Sequence, residues 1–312
     1  MKKKILVTGA AGYIGSMLCT ELVMMNYNVV AVDTLKYVQN SLSHLHYFKN
    51  FKLVKGDVTN KNILKEVLKG CDYIIPLAAL VGAPLCKKFR KKAVELNVNS
   101  IKLLLSLVNK KQKIIYPTTN SGYGVGEKGK FCDENSPLRP ISLYGVTKLQ
   151  AEKLVLSHKN SVCFRLATVF GYSFRMRTDL IVNNFVQKAV NENKLDIFEP
   201  HFRRNFVHIR DVVASFIFAI KNFKKLKNNI FNLGLSNANI TKLSLAKKIK
   251  KNVRKLKINI ITNAKDPDQR DYFVSNKKIE KAGFKATISL ETGIEELVNL
   301  FNSSTVKFIN NY

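Results

Sequence analysis

The chain has 312 residues, 46% of them hydrophobic, and a formal net charge of +30 from 52 Lys and Arg against 22 Asp and Glu. That length can bury a full core in one large domain or two intimate ones; with no apolar run of about 18 residues, no transmembrane helix is expected, nor is a membrane partner. The lysines are spread along the whole chain, with asparagine also abundant, which points to compositional bias and against a nucleic-acid-binding stripe.

The N-terminal MKKKILVTGAAGYIGS mimics a basic targeting segment, but its apolar run is short and glycine-broken, so it reads as a strand entering a turn. Five cysteines (Cys19, Cys71, Cys86, Cys132, Cys163) are scattered, with no C-x-x-C pair and no Cys/His cluster. They support neither a metal site nor a disulfide framework and fit a reducing cytoplasm.

Short β-like runs alternate with helical patterns through the first half. KKILVT predicts a strand, followed by a helix near Tyr13 to Met25; YNVVAVD and FKLVKGD are the next strands, then a helix near Asn62 to Leu68. CDYIIPLA precedes a long helix around Arg90 to Asn109; QKIIYPTT, a helix starting near Tyr144, and the strand SVCFRLATVFG follow. This alternation predicts β-α-β units and a parallel sheet with helices on both faces, and nearly all-apolar strands suit burial on two sides. After Gly171 the pattern loosens into a helix near Asp179 to Asn191, the strands LDIF and NFVHI, a helix near Asp211 to Ile220, the strand NIFNLG, and helices near Lys242 to Val253 and Leu290 to Phe301. The expected fold is α/β, a doubly wound parallel sheet with a smaller C-terminal α/β lobe. Residues 1–171 make the first unit, with 205–234 returning to it; 172–204 and 235–312 make the second.

The first turn, GAAGYIG, sets Gly9, Gly12 and Gly15 between a strand and a helix. With 15 Gly in the chain, three at this spacing arise by chance roughly 0.03 times. Glycine lets the backbone turn tightly and approach a pyrophosphate, which the helix N-terminus attracts through unpaired N–H groups. Asp33 ends the second strand. A carboxylate there accepts hydrogen bonds from adenosine ribose hydroxyls and repels a 2′-phosphate, favouring NAD over NADP; the plainer alternative is an acid capping a loop turn. For Asp57, at the end of the third strand, adenine contact and helix capping stand side by side.

Tyr144 and Lys148 sit one helical turn apart on one face. By itself the pair is unremarkable, since 11 Tyr and 42 Lys give roughly 1.5 such spacings by accident. Its setting makes the difference: it follows the glycine turn, a strand ending on Thr119, and the Pro-marked loop SPLRPIS. Ligands of open α/β sheets bind at strand carboxyl ends, so Thr119, Tyr144 and Lys148 form the candidate catalytic group. His208, on an apolar strand, reads as a core histidine.

Taken in order, TGAAGYIG, GDV, LAALVG, ELNVNS, PTTNSGYG, YGVTK, RLATVFG, RRNFVHIRDVV and GFKATISLETGIEEL span essentially the whole chain. They resemble the extended short-chain dehydrogenase/reductase family, the NAD-dependent epimerases and dehydratases that act on nucleotide sugars. Within that family, IIPLAALVGAPLC, TTNSGYGVGEKG, SPLRPISLYG, FRRNFVHIRDVV and DPDQRDYFVSN look most like the GDP-D-glycero-α-D-manno-heptose 4-dehydrogenases of bacterial capsule biosynthesis. The resemblance implies a Rossmann-type fold with NAD held by Gly9, Gly12, Tyr13, Ile14, Gly15, Asp33, Asp57, Val58, Leu77, Ala78, Ala79, Asn97 and Lys148. It implies that Tyr144, kept as phenolate by Lys148 and the nicotinamide cation, takes a proton from a sugar hydroxyl that Thr119 aims.

For the substrate, the resemblance implies diphosphate contacts at Arg204 and Arg270, with Arg175, Arg177 and Asn183 lining the cleft and Thr168 near the nicotinamide or sugar. The family's 4,6-dehydratases carry an Asp-Glu pair after the catalytic Thr; here Asn120 and Ser121 stand there, which disfavours dehydration. The expected activity is oxidation at C4 of a nucleotide-diphosphate sugar, with NADH tightly held and reoxidised by 2-oxoglutarate. A UDP- or GDP-sugar 4-epimerase is the alternative, ahead of a 4,6-dehydratase or a non-catalytic NAD- or RNA-binding relative. The long helix is apolar on two sides, through Val98, Ile101, Leu104, Leu105 and Val108 on one and Leu103 and Leu107 on the other. Two apolar faces need two partners, so a homodimer is expected.

Overall fold

A computed structural model describes residues 2–37, 40–127, 129–262 and 270–303. The strand β1 (Lys4–Thr8) enters α1 (Tyr13–Met24) through the glycine turn; β2 (Asn28–Asp33), β3 (Phe51–Lys55), α2 (Lys61–Val67) and β4 (Tyr73–Pro76) follow. Beyond β4 come α3 (Ala83–Lys88), α4 (Arg90–Val94), a π turn (Glu95–Asn99), α5 (Ser100–Leu107), β5 (Lys113–Thr119) and the short β6 (Phe131–Cys132). The chain continues through α6 (Leu143–Leu156), β7 (Ser161–Leu166), β8 (Thr168–Phe170), α7 (Ile181–Glu192), β9 (Lys194–Phe198), β10 (Arg203–His208), α8 (Ile209–Lys221), α9 (Phe223–Leu226) and β11 (Asn229–Leu233). It ends with β12 (Asn239–Thr241), α10 (Lys242–Asn252), β13 (Lys257–Ile261), β14 (Phe273–Val274), α11 (Lys277–Lys281) and α12 (Leu290–Ser303).

Seven strands form one parallel sheet in the order β11-β7-β5-β4-β1-β2-β3. Ile5 and Val7 face a core shared with α1 and α8, while Leu6 between them faces a second core shared with α2, α5 and α6. That alternation makes the sheet doubly wound. The winding reverses between β1 and β4, and a crevice opens outside strand carboxyl ends at such a reversal. This is the Rossmann-type α/β fold.

Three departures from the sequence-based expectation bear on the site. First, SVCFRLATVFG is two strands: Ala167 N–H still reaches Leu233 O at 2.8 Å, after which the chain leaves the main sheet and β8 pairs with β10. Second, the helix over 90–109 is widened by a π turn centred on Asn97. Within it the Asn97 side-chain amide takes Leu80 N–H at 2.8 Å and donates to Leu80 O at 2.9 Å and Thr147 Oγ1 at 3.1 Å. Third, β6, β12, β13 and β14 are short pairings whose partners lie far along the chain, as in Phe273 beside Phe131. Among the described residues no helix is long and apolar enough to cross a membrane, no group of His, Cys, Asp or Glu could hold a metal ion, and all five cysteines are buried free thiols.

Candidate active site

The crevice is built first by glycine. Gly9 has φ +66°, and a Cβ on it would stand 2.6 Å from Ala78 N; one on Gly15 would stand 2.3 Å from Gly9 O. The loop is therefore folded against the β4 end as tightly as backbone allows, leaving the α1 N-terminus open to an anion. Asp33 is fixed by Ala11 N–H on Oδ2 (3.0 Å) and Leu35 N–H on Oδ1 (2.9 Å). Burial raises its pKa, opposed by those N–H groups. Asp33 caps the turn and also lines the crevice.

Asp57 lines the same crevice, its Oδ1 taking Thr59 N–H and Oγ1 at 2.9 and 2.8 Å. The helix-cap reading of Asp57 is corrected, because Asn60 caps α2 through Asn62 and Ile63 N–H. Tyr13, Ile14, Val58, Leu77, Ala78, Ala79, Tyr144 and Lys148 complete this wall. Asn97 does not line it; its amide is spent on Leu80 and Thr147, so it shapes the crevice through the loop after β4. A larger groove of about 780 Å³ lies over the β2–β3 edge beside α2 and contains none of these side chains.

Thr119 ends β5, where its Oγ1 donates to Ser121 Oγ (2.8 Å) and takes Ser121 N–H (3.1 Å). Ser142 caps α6 by accepting Gly145 N–H at 3.2 Å, which sets Tyr144 on the first helical turn facing Thr119. Burial raises the Tyr144 pKa, while the Arg177 and Arg270 cations and the Thr119 hydroxyl act in the opposite sense. Sequence reasoning assigned that cationic support to Lys148 together with the nicotinamide cation. In the structure Lys148 Nζ donates to Tyr116 Oη at 2.6 Å and lies 4.0 Å from that ring's centroid. Burial lowers the Lys148 pKa to about 7, against the opposing influence of Cys163, Glu152 and Cys86.

The candidate substrate residues divide. Arg270 reaches the segment after β5, where its Nη1 donates to Ser121 Oγ. Its segment is held there because Gly126 N–H reaches Asp271 O (2.8 Å) and Asp271 pairs with Arg203 through Nε (2.8 Å) and Nη2 (3.0 Å). Arg204, 3% exposed, donates Nη1 to Arg203 O (2.9 Å) and to Arg270 O. Arg177 pairs with Asp179 in the crevice. Arg175 lies on the dinucleotide side: its guanidinium carbon is 4.8 Å from the Tyr37 ring centroid, and its charge acts on Asp33. Asn183 is fully buried, joined to Gly171 N–H (3.0 Å), Arg177 O (2.8 Å) and Tyr13 Oη (3.3 Å), so it braces the loop over α1. Thr168 is partly buried on β8 opposite Phe206. Asn120 is 1% exposed, with neither amide atom hydrogen-bonded.

His208 is 1% exposed with its pKa lowered by burial to about 3, as suits a core histidine that caps α8. Tyr116 escaped sequence reasoning; its one signal is a hydroxyl inside the apolar run KIIY.

The fold and the glycine-lined crevice are those of a Rossmann-type dinucleotide-binding protein. Residues 5–234 match the NAD dependent epimerase/dehydratase family, and the chain belongs to that family. It is thus an NAD-dependent enzyme. It is 33% identical over 252 residues to an uncharacterised UDP-glucose epimerase of Bacillus subtilis, covering 74% of this chain and 76% of that one. Its structure is similar to that of UDP-glucuronic acid 4-epimerase from Bacillus cereus in complex with UDP-glucuronic acid and NAD, with TM-score 0.85 and 26% identity over 96% of this chain and 99% of that one. It shares its fold with dTDP-glucose 4,6-dehydratase from Bacillus anthracis in complex with NAD, at TM-score 0.84 and 22% identity over 97% of each chain.

Proposed function

We propose that the protein oxidises C4 of a nucleotide-diphosphate sugar, and that its substrate is a GDP-heptose converted to the 4-keto sugar for surface polysaccharide. The observation that carries this is the meeting of Thr119, Ser121 and Arg270 beside Tyr144, with Asn120 and Ser121 following Thr119 in the chain. Neither Asn nor Ser has the pKa to act as the acid and base of water loss, so oxidation without dehydration is the chemistry left. The turn of Gly9, Gly12 and Gly15 would hold NAD, which would supply the hydride acceptor. Thr119 aims the carbinol, and Tyr144, as a phenolate that Arg177 and Arg270 stabilise, takes its proton and becomes the neutral phenol. Lys148 binds the nicotinamide ribose, and Arg204 with Arg270 faces the diphosphate. Residues 1–171 with 205–234 serve as the dinucleotide unit and 172–204 with 235–312 as the substrate lobe, consistent with β11 joining the main sheet.

The working unit is a cytoplasmic homodimer joined through α5 and α6, with 2-oxoglutarate reoxidising retained NADH. A second reading, a UDP- or GDP-sugar 4-epimerase, draws support from the two epimerases above. The two separate on one experiment: release the bound dinucleotide by denaturation, then supply GDP- and UDP-sugars with and without 2-oxoglutarate. Copurified NADH and a 4-ketone that accumulates with 2-oxoglutarate support the dehydrogenase. Bound NAD⁺ with reversible sugar interconversion supports the epimerase. No turnover of any nucleotide sugar sinks both.

A further inference from the structure

Lys148 has an unusual partner beneath it. Tyr116 Oη lies 2.6 Å from Nζ, the ammonium stands 4.0 Å from the centroid of the same ring, and the two residues are 2% and 4% exposed. Among the described residues Tyr116 is the single hydrogen-bond partner of Nζ, and Lys148 the single one of Tyr116 Oη. The groups that face Lys148 are Tyr116 from β5, Cys163 from β7, Cys86 from α3, and Tyr144 and Glu152 from α6 itself. The Cys163 and Cys86 thiols and the Tyr116 phenol are all pushed upward by burial, so they are neutral. Glu152 is engaged by Arg165 through three N–H···O contacts of 2.7 to 3.2 Å. Tyr116 is thus the one group in direct contact that can offset the desolvation of this cation.

We propose that Tyr116 is a positioning residue for the reaction, which anchors the Lys148 ammonium between the base Tyr144 and the cofactor ribose and keeps it charged. The inference rests on the assignment of Lys148 to the NAD site above. An oxygen that accepts from an ammonium makes a charge-assisted bond, about twice as strong as the neutral phenol–amine bond that replaces it on deprotonation. Removing the oxygen therefore penalises the cation more than the free amine. It also releases a four-carbon chain to wander within the crevice. The ring face, and the attraction it offers a cation, stays in a phenylalanine variant. The hydroxyl is therefore the part under test.

The test is Tyr116→Phe in the full-length protein, with site-specific 4-fluorophenylalanine at position 116 as a second variant of nearly the same volume. NADH affinity is measured by fluorescence titration from pH 5.5 to 9, which needs no sugar. The proposal expects NADH binding weakened by up to about tenfold at pH 8 and less than twofold at pH 5.5, the size of one charge-assisted hydrogen bond. With an active sugar, the alkaline limb of the kcat profile moves down as Lys148 loses its proton earlier, while the acid limb, where Lys148 is charged in both proteins, stays in place. Equal affinity and an unshifted profile in both variants overturn the role of Tyr116. A uniform loss at every pH also overturns it, because that marks a packing defect. Failure of the wild type to bind NADH overturns instead the underlying assignment of the NAD site.

Discussion

Arg165 and Glu152 meet inside the protein, Nη2 2.7 Å and Nε 3.1 Å from the two carboxylate oxygens, with their side chains 3% and 5% exposed. The pair fastens β7 to the helix that carries Tyr144 and Lys148. Arg165 Nη1 extends the link to Tyr123 Oη at 3.1 Å, and Tyr123 in turn donates to Asn232 Oδ1 at 2.7 Å on β11. Removing one member of a buried pair leaves an uncompensated charge at a cost of about 3–5 kcal/mol. Glu152→Gln is therefore expected to lower the urea midpoint sharply, while Glu152→Gln/Arg165→Met loses less than the single variant. A single variant as stable as wild type would show that water reaches the pair.

The glycine turn makes a steric prediction. Gly15→Ala places a methyl 2.3 Å from Gly9 O and 2.8 Å from Ala10 Cα, both backbone atoms that cannot swing aside. The turn must open, and the pyrophosphate site opens with it. NADH affinity is expected to fall by at least tenfold, about 1.4 kcal/mol, in a calorimetric titration. Gly129→Ala, with nothing within 4 Å but a φ of +77°, is the matched control, expected to leave NADH binding intact.

Lys148 carries a stability prediction whose sign depends on pH. Its native pKa of about 7 lies below the ordinary lysine value, near 10.4 in an unfolded chain. The unfolded state therefore binds the proton more tightly, and the cost to folding is fully present below pH 7 and fades as pH rises toward the unfolded value. Lys148→Met removes the charge but leaves Tyr116 Oη without a partner, so the net gain is about 1–3 kcal/mol at pH 6. Denaturant melts at pH 6 and pH 10 should show the variant ahead at the first and level with wild type at the second, with activity lost at both. An advantage that grew with pH would contradict a lysine held below its ordinary pKa.

Arg270 has two proposed tasks that one variant separates. As a cation lowering the Tyr144 pKa, its loss in Arg270→Met moves the acid limb of the kcat profile to higher pH. As a diphosphate ligand, its loss raises KM by about tenfold or more. A rise in KM with an unmoved acid limb would assign Arg270 to binding alone.

The Asp33 carboxylate is held by Ala11 and Leu35 N–H, and in the cofactor placement proposed above it would repel a 2′-phosphate. Asp33→Ser is expected to narrow the NADH over NADPH preference by tenfold or more, read from the two dissociation constants side by side.

The sequence by itself determined what repeats locally. Apolar runs such as VVAV can be buried on both faces, three glycines at short spacing turn a strand into a helix, and Tyr144 and Lys148 share a face because a helix turns every 3.6 residues. Only the tertiary structure decided what depends on distant segments meeting. Arg270 stands at Ser121 because residues 124–126 hydrogen-bond its neighbours, 149 positions along the chain from its contact. The Asn97 side-chain amide, within the π turn, finds its partners Leu80 and Thr147 at 17 and 50 positions along the chain, and Lys148 turns to Tyr116 because β5 runs directly under α6. Side-chain partners and the desolvation that shifts a pKa are properties of a packed neighbourhood, and no spacing along the chain encodes them.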